Sequence, residues 1–281
     1  MTKIAILADI HGNQTAFEAV LADAKSLGVE EYWFLGDLCG PGPGGEEMVA
    51  QLRQLNVTVC VRGNWDEWED REVVTSEPLD LSSARSVHLY RLNQYVLENL
   101  SQESLEWLRT FPITQKVERN GLRFQLSHNL PDKHYGPELT VPAPQKEIDK
   151  LFPDREVDVA IYAHIHHQVF RYDQYGRQIL NPGSIGQPFY EWEEVPLDLR
   201  AHYLVLTLGE AEIDQIQFRK VAYDVEDEIA LAKKKGLPYL ELYERLVREG
   251  YTYTHDEKRL AAYNQQYGYV DEVKTYFASS S

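Results

Sequence analysis

Residues 4–13 read Ile-Ala-Ile-Leu-Ala-Asp-Ile-His-Gly-Asn. Ile4 to Ala8 is a short apolar run ended by Asp9, the pattern of a strand buried on both faces. Asn13 is placed to cap a helix. Phe17, Val20, Leu21, Ala24 and Leu27 then recur at three- and four-residue spacing, giving one apolar helical face, and Gly28 sits where a helix stops. The chain repeats this unit. Tyr32 to Leu35 reads as a second strand ending at Gly36-Asp37, and a Gly/Pro-rich loop runs from Gly40 to Gly45. Met48, Val49, Leu52 and Leu55 mark a second helix, and Val57 to Val61 a third strand ending at Arg62-Gly63-Asn64. This β-α-β-α-β order predicts an α/β fold with a parallel sheet and right-handed crossovers. Ligands bind beyond the carboxyl ends of such strands, so Asp9, Asp37 and Asn64 are expected to meet at one sheet edge.

Beyond residue 66 the pattern turns helical. Leu89, Leu92, Val96 and Leu100 form one stripe, and Ser101 is placed to cap a short helix holding Leu105 and Leu108. Residues 67–112 are therefore expected to be a helical insertion in a domain spanning 1–222. Strand patterns return at Gln115 to Ser127, Val157 to Ala163, Gln168 to Arg171, Gln178 to Leu180, His202 to Leu208 and Ala211 to Arg219. They are expected to form a second, more antiparallel sheet. From Asp224 the chain reads helical with a break at Gly236-Leu237-Pro238, so 223–281 is expected to be a helical extension, either packed on the domain or serving as an oligomer contact.

Composition narrows the function. Apolar residues make up 43% and charged residues 26% of the 281, ordinary for a folded globular chain. The net charge of -17 repels nucleic acid polymers and anionic membrane surfaces. It leaves small phosphorylated substrates open, because bound divalent cations reverse the field within one cleft. Two cysteines, Cys39 and Cys60, provide no disulfide framework. No stretch approaches the ~20 apolar residues of a membrane helix, and the N-terminal apolar run is too short for a signal peptide. A cytoplasmic location is the expectation.

Five short motifs carry chemistry: Asp9-Ile10-His11, Gly36-Asp37, Gly63-Asn64-Trp65-Asp66, His128 and Ala163-His164-Ile165-His166. Each alone is weak, but all five follow strand patterns in a fixed order. In order and type they resemble the calcineurin-like metallophosphoesterase superfamily, over roughly residues 1 to 220, and Asn181-Pro182-Gly183-Ser184 is similar to that family's sequence after its His pair. The resemblance implies a four-layer αββα sandwich of two mixed sheets and two divalent metal ions. It places Asp9, His11 and His166 on one ion, Asn64, His128 and His164 on the other, and Asp37 between them. Mixed imidazole and carboxylate ligands suit Mn²⁺, Fe²⁺ or Zn²⁺ rather than Ca²⁺. Asp37 and Asn64 are the candidate catalytic residues. Arg62 is a third, able to match phosphate oxygens bidentately, or else a strand-end arginine in water.

One position departs from the family pattern. Where its Gly-Asn-His motif supplies a histidine thought to protonate the leaving group, this chain has Trp65. General acid catalysis is worth roughly 10²–10⁴ in rate, and an alkoxide leaving group needs that proton far more than a phosphate, whose relevant pKa is about 6. Phosphoanhydrides, dinucleoside polyphosphates among them, and activated phosphodiesters are therefore expected over alkyl phosphomonoesters. His134 and His167 are candidate substitutes for the acid; His88, His202 and His255 read as ordinary polar residues. Trp65, Trp68, Tyr135, Phe189, Tyr190 and Trp192 are candidates for base stacking, worth ~1–3 kcal/mol in single-strand binding, or are core aromatics. The competing readings are a phosphatase acting on monoesters or proteins, and a non-catalytic scaffold that keeps the fold.

Overall fold

The structure is a computed structural model describing residues 1–68, 74–76, 78–189 and 197–278, with the side chain of Trp68 left aside. Tyr190 and Trp192 lie outside the described residues. The first sheet takes β1 (Thr2–Leu7), β2 (Glu31–Phe34) and β3 (Val57–Cys60), linked by helices α1 (Gln14–Ser26) and α2 (Glu46–Gln54). A short helix, α3 (Asn64–Trp68), follows, then α4 (Ala84–Asn99) and α5 (Gln102–Arg109). The second sheet is built from β4 (Thr114–Arg119), β5 (Leu122–Ser127), β6 (Val159–Ile161), β7 (Gln168–Tyr172) and β8 (Gln178–Pro182), with a short helix α6 (Gln145–Ile148) between β5 and β6. Strands β9 (Ala201–Leu208) and β10 (Ile213–Val221) precede helices α7 (Val225–Lys234), α8 (Leu240–Glu249), α9 (Glu257–Tyr267) and α10 (Tyr269–Ala278).

The two five-stranded sheets run β10-β9-β1-β2-β3 and β4-β5-β6-β8-β7. Both are mixed. The β1–β2 and β2–β3 pairs are parallel as the crossover pattern predicts, whereas β9 runs antiparallel to β1 and to β10. This corrects the expectation that His202–Leu208 and Ala211–Arg219 belong to the second sheet. All eight residues of β9 are buried, as befits a central strand, but period alone does not say which sheet such a strand joins. The stretch Gln115–Ser127 is likewise two strands: Asn120 and Gly121 both take positive φ, the two-residue turn that lets a hairpin follow the strand twist.

Alternation along β1 sorts its side chains between two cores. Ile4, Ile6 and Ala8 meet Trp33 and Leu35, and face Phe124, Leu126, Val159 and Ile161 of the second sheet. Ala5 and Leu7 face the other way, onto Phe17, Val20, Met48 and Leu52 of α1 and α2. On its outer face the second sheet buries Ala160 and Ile179 against Ile148 and Leu151. The architecture is thus four layers, αββα. Predicted caps form as read: Asn13 accepts from Ala16 N at 3.0 Å and Ser101 from Ser104 N at 3.2 Å.

The C-terminal helices do not stand apart. Val87 and Leu92 of α4 share one core with Tyr239, Leu260, Val273 and Phe277, and Tyr95 shares another with Ile229, Leu246 and Val247. Buried Glu228 joins α7 to the first sheet's layer, accepting from Thr15 N and the Tyr243 hydroxyl at 2.9 and 2.8 Å. Among the described residues no helix is long and apolar enough to cross a membrane.

Shared cores predict shared unfolding. Trp33→Ala, between the sheets, is expected to cost about 3–5 kcal/mol, and Leu246→Ala, in α8, about 2–5 kcal/mol. Both should lower the midpoint of one thermal transition followed by circular dichroism. A separate early transition in Leu246→Ala would show that the extension melts alone.

Candidate metal centre

The candidate ligands converge beyond the carboxyl ends of β1, β2, β3, β5 and β6. Of the eight non-glycine residues with positive φ among the described residues, five are Asp9, His11, Asp37, His164 and His166, with φ between 50° and 68°. Left-handed backbone costs a side-chain-bearing residue roughly 1–3 kcal/mol and persists only where surroundings impose it. Here the turn after β1 is pinned to the turn after β2: Asp9 N donates to Gly36 O at 3.0 Å, Ile10 N and His11 N both to Asp37 O at 2.9 and 3.0 Å, and Gly12 N to Leu38 O at 2.9 Å. The bent turn lets Asp9 and His11 serve one cluster.

Asp66 ties a third strand end into this edge. Its buried carboxylate accepts from Asp37 N, Leu38 N and Gly63 N at 2.9, 3.0 and 2.7 Å. Burial raises its pKa, and so does the charge of Asp37, while the three amides oppose the shift. Asn181 and Ser184 brace the other side, Asn181 donating to Ala163 O at 2.9 Å and Ser184 to Asp9 O at 2.8 Å.

The imidazoles reveal their tautomers. Nδ1 of His11 lies 2.7 Å from Gly40 O, Nδ1 of His128 2.6 Å from Leu35 O, and Nδ1 of His166 2.5 Å from Gln187 O. A carbonyl only accepts, so each Nδ1 carries the proton and each Nε2 faces the cluster, the arrangement typical of metal-ligating histidines. Nε2 of His11 and Nε2 of His166 stand 3.1 Å apart. Buried Asp9 Oδ1 has no hydrogen-bond partner, although His166 Nε2 is 3.2 Å away. Asp9, His11 and His166 form one group whose ligand atoms lie within 4.8 Å, and Asp9, Asp37 and His128 form another. Asp37 Oδ2 sits between the two sets, 3.5 Å from His11 Nε2 and 3.4 Å from His128 Nε2. Asn64 Oδ1 is 3.2 Å from His128 Nε2. His164 stands beside these groups, its ring 5.2 Å from that of His128 and its backbone N 3.2 Å from Asp9 Oδ2.

Charge in the cluster is unbalanced. Burial lowers the His11 and His164 pKa values to about 4, so both are neutral at pH 7. Burial also opposes the charged form of His128, but Asp37 and Asp9 outweigh it and raise that pKa to about 10. Asp9 and Asp37 are held below the usual carboxylate range by their imidazole neighbours against the opposing effect of burial. Ring nitrogens facing one another, an unpartnered buried carboxylate oxygen and an N/O ligand set together fit divalent cations.

A cleft of about 650 Å³ opens on the cluster, with His11, Asp37, Asn64, His164 and His166 in its floor and Trp65 and Phe189 in its walls. The Trp65 ring meets His11 edge-on at 5.7 Å and Phe189 meets His166 at 4.9 Å. Tyr135 is exposed, beneath the Lys133 ammonium. Arg62 does not face the cleft: its guanidinium donates to the Arg109 carbonyl at the C-terminal end of α5, where the helix dipole favours a cation. The expected contact of Arg62 with phosphate thus finds no support in the cleft lining. His134 pairs with Glu67 at 3.0 Å, and neither His134 nor His167 is among the residues lining the cleft. Sequence reasoning gave no role to Arg85 at the start of α4 and read His255, before α9, as an ordinary polar residue, yet both line the cleft. Neither lies in a motif, and only the fold brings them within reach. It also gave Asp66 no role, though the residue stood in a quoted motif.

A sequence model of the calcineurin-like phosphoesterase superfamily domain matches residues 2–208. An uncharacterized protein of Methanocaldococcus jannaschii, MJ0912, is 30% identical over 207 residues, spanning 66% of this chain and 77% of its own. Among solved structures, a metallophosphoesterase from Sphaerobacter thermophilus aligns with TM-score 0.69 at 24% identity, covering 89% of this chain and 99% of its own. The hypothetical protein PH1004 of Pyrococcus horikoshii aligns with TM-score 0.71 at 22% identity, covering 90% and 100%. These structures share the fold.

Two outcomes follow from the geometry. Because the raised pKa keeps His128 protonated at pH 7, cation binding must displace that proton. Calorimetric titration in buffers of differing ionisation enthalpy should show proton release, with affinity rising as pH climbs toward 10; no release would mean His128 is neutral. A Cβ at Gly63 would lie 2.0 Å from Asp37 Oδ1 and 2.6 Å from Asp37 N. Gly63→Ala should therefore displace Asp37, lowering metal content by elemental analysis together with thermal stability. The strand-end turns, the inward imidazoles and the sequence match agree: the chain belongs to the calcineurin-like phosphoesterase superfamily.

Proposed function

We propose that the protein hydrolyses small phosphodiesters or phosphoanhydrides, of the dinucleoside polyphosphate kind, with two divalent cations. The observation that carries the reading is the close approach of His11 Nε2 and His166 Nε2, 3.1 Å apart beside the Asp9 oxygen that has no hydrogen-bond partner. Two ring nitrogens and a carboxylate oxygen brought this close form a donor set that a shared divalent cation would hold. In this reading Asp9, His11 and His166 hold one ion, Asn64, His128 and His164 the other, and Asp37 both. Mn²⁺ or Fe²⁺ is our first assignment and Zn²⁺ the alternative. When bound, such ions supply Lewis acidity toward phosphoryl oxygens and water of lowered pKa.

The chain's own residues do the rest. Backbone carbonyls of Gly40, Leu35 and Gln187 fix the imidazole orientations, and Asp66 fixes the Asp37 turn. Trp65 beside His11 gives no proton at neutral pH, which favours leaving groups that depart as stable anions. The same reading divides the chain into a domain of 1–222 with an insertion at 67–112, and an extension of 223–281 that helps wall the cleft. Cys39 and Cys60 are free thiols, in keeping with the cytoplasm as our assigned compartment.

The test is hydrolysis by protein stripped with chelator and reloaded with Mn²⁺, Fe²⁺ or Zn²⁺. Three substrates are compared: a dinucleoside tetraphosphate, an aryl phosphodiester and an alkyl phosphomonoester. Metal-dependent turnover should favour the anhydride or diester, and Asp37→Ala should lose metal and turnover together. Faster monoester cleavage would overturn the leaving-group argument. Bound metal with no turnover of any substrate would replace the hydrolase by a scaffold.

A further inference from the structure

Two cationic or hydrogen-bonding side chains stand over the cleft outside the candidate ligand set. Arg85 is the second residue of α4, and His255 lies in the loop between α8 and α9; both are exposed, and both line the cleft with His11, Asp37, His164 and His166. Arginines elsewhere, such as Arg177, Arg219 and Arg248, sit in ion pairs with carboxylates. The Arg85 guanidinium has no ion pair or hydrogen bond among the described residues, and the His255 ring has none either.

Their placement is built in. Glu257, two residues after His255, accepts from the Ser83 hydroxyl at 3.2 Å, Ala84 N at 2.9 Å and Arg85 N at 3.3 Å. A carboxylate at a helix N-terminus is stabilised by the amides and the dipole there. This clamp fastens the loop carrying His255 to the helix carrying Arg85. Asp256 caps α9 by accepting from Arg259 N at 3.0 Å, which holds the other end of the loop.

We propose that Arg85 and His255 bind the departing phosphate, and that the substrate is accordingly a phosphoanhydride; this rests on the hydrolase reading above. Water adds its oxygen to the phosphorus over the candidate metal ligands. The bridging P–O bond breaks, its electron pair stays on the oxygen of the departing phosphate, and the proton lost by water passes to solvent. Trp65 offers that oxygen no proton, so its charge must be met by fixed donors. A guanidinium presents paired N–H groups matched to phosphate oxygens, and an imidazole N–H adds a third donor. An alcohol leaving from a diester would bring nothing negative for these two groups to hold before the bond breaks.

The experiment compares kcat/KM for a dinucleoside tetraphosphate with that for bis(p-nitrophenyl) phosphate in wild-type protein, Arg85→Ala, Arg85→Lys and His255→Ala. Each alanine variant should lower the anhydride-to-diester ratio by roughly 10- to 100-fold, the loss of a charge-assisted hydrogen bond, with Arg85→Lys between. Equal loss on both substrates, or no loss, overturns the assignment while leaving the hydrolase reading intact. Should wild-type protein turn over neither substrate, that reading falls, and binding still decides the assignment. Methylenediphosphonate, whose P–C–P bridge resists hydrolysis, should bind the metal-loaded alanine variants more weakly; unchanged affinity overturns the proposal.

Discussion

Burying two carboxylates among imidazoles whose Nε2 atoms face inward is unfavourable unless positive charge joins them, and the sheet edge is shaped by that constraint. Asp9 and Asp37 are both removed from water. Ionised groups so placed must be paired or must coordinate a cation. To bring five side chains from three strand ends to one point, the backbone at Asp9, His11, Asp37, His164 and His166 adopts left-handed turns. Those turns hold because the amides they expose find partners in the neighbouring turn or in Asp66. The surrounding α/β sandwich is the rigid frame that makes such geometry affordable.

Much of this was legible in the sequence, because local rules agreed. Strand patterns ended at Asp9, Asp37 and Asn64, and the caps at Asn13 and Ser101 follow from side-chain chemistry that acts over three residues. What escaped depends on distance along the chain. The pairing of Ala201–Leu208 with β1 joins segments two hundred residues apart, and nothing in an all-apolar strand names its neighbour. The side of the sheet to which Arg62 turns was set by a helix carbonyl at Arg109. Arg85 and His255 carry no motif; they meet the cleft because Glu257 fastens one helical segment to another.

Electrostatics separates the cleft from the rest of the surface. A chain of net charge -17 repels polyanions at long range. Arg85, without an ion pair among the described residues, stands at the cleft with the candidate metal ligands and sets a positive charge against that overall field. The Trp65 indole adds a wall that excludes water without titrating near neutral pH.

The central place of β9 has a consequence for how the chain acquires its shape during synthesis. Every candidate ligand lies before residue 167, yet β1, which leads into Asp9, has one edge open until Ala201–Leu208 has been made. Contacts of such long sequence separation form slowly, since the intervening loop must be closed first. A ribosome adding about 5–20 residues per second therefore exposes an apolar, half-paired sheet for some seconds before the strand that covers it arrives. During that interval the apolar edge of β1 lacks the strand that covers it in the final four-layered form.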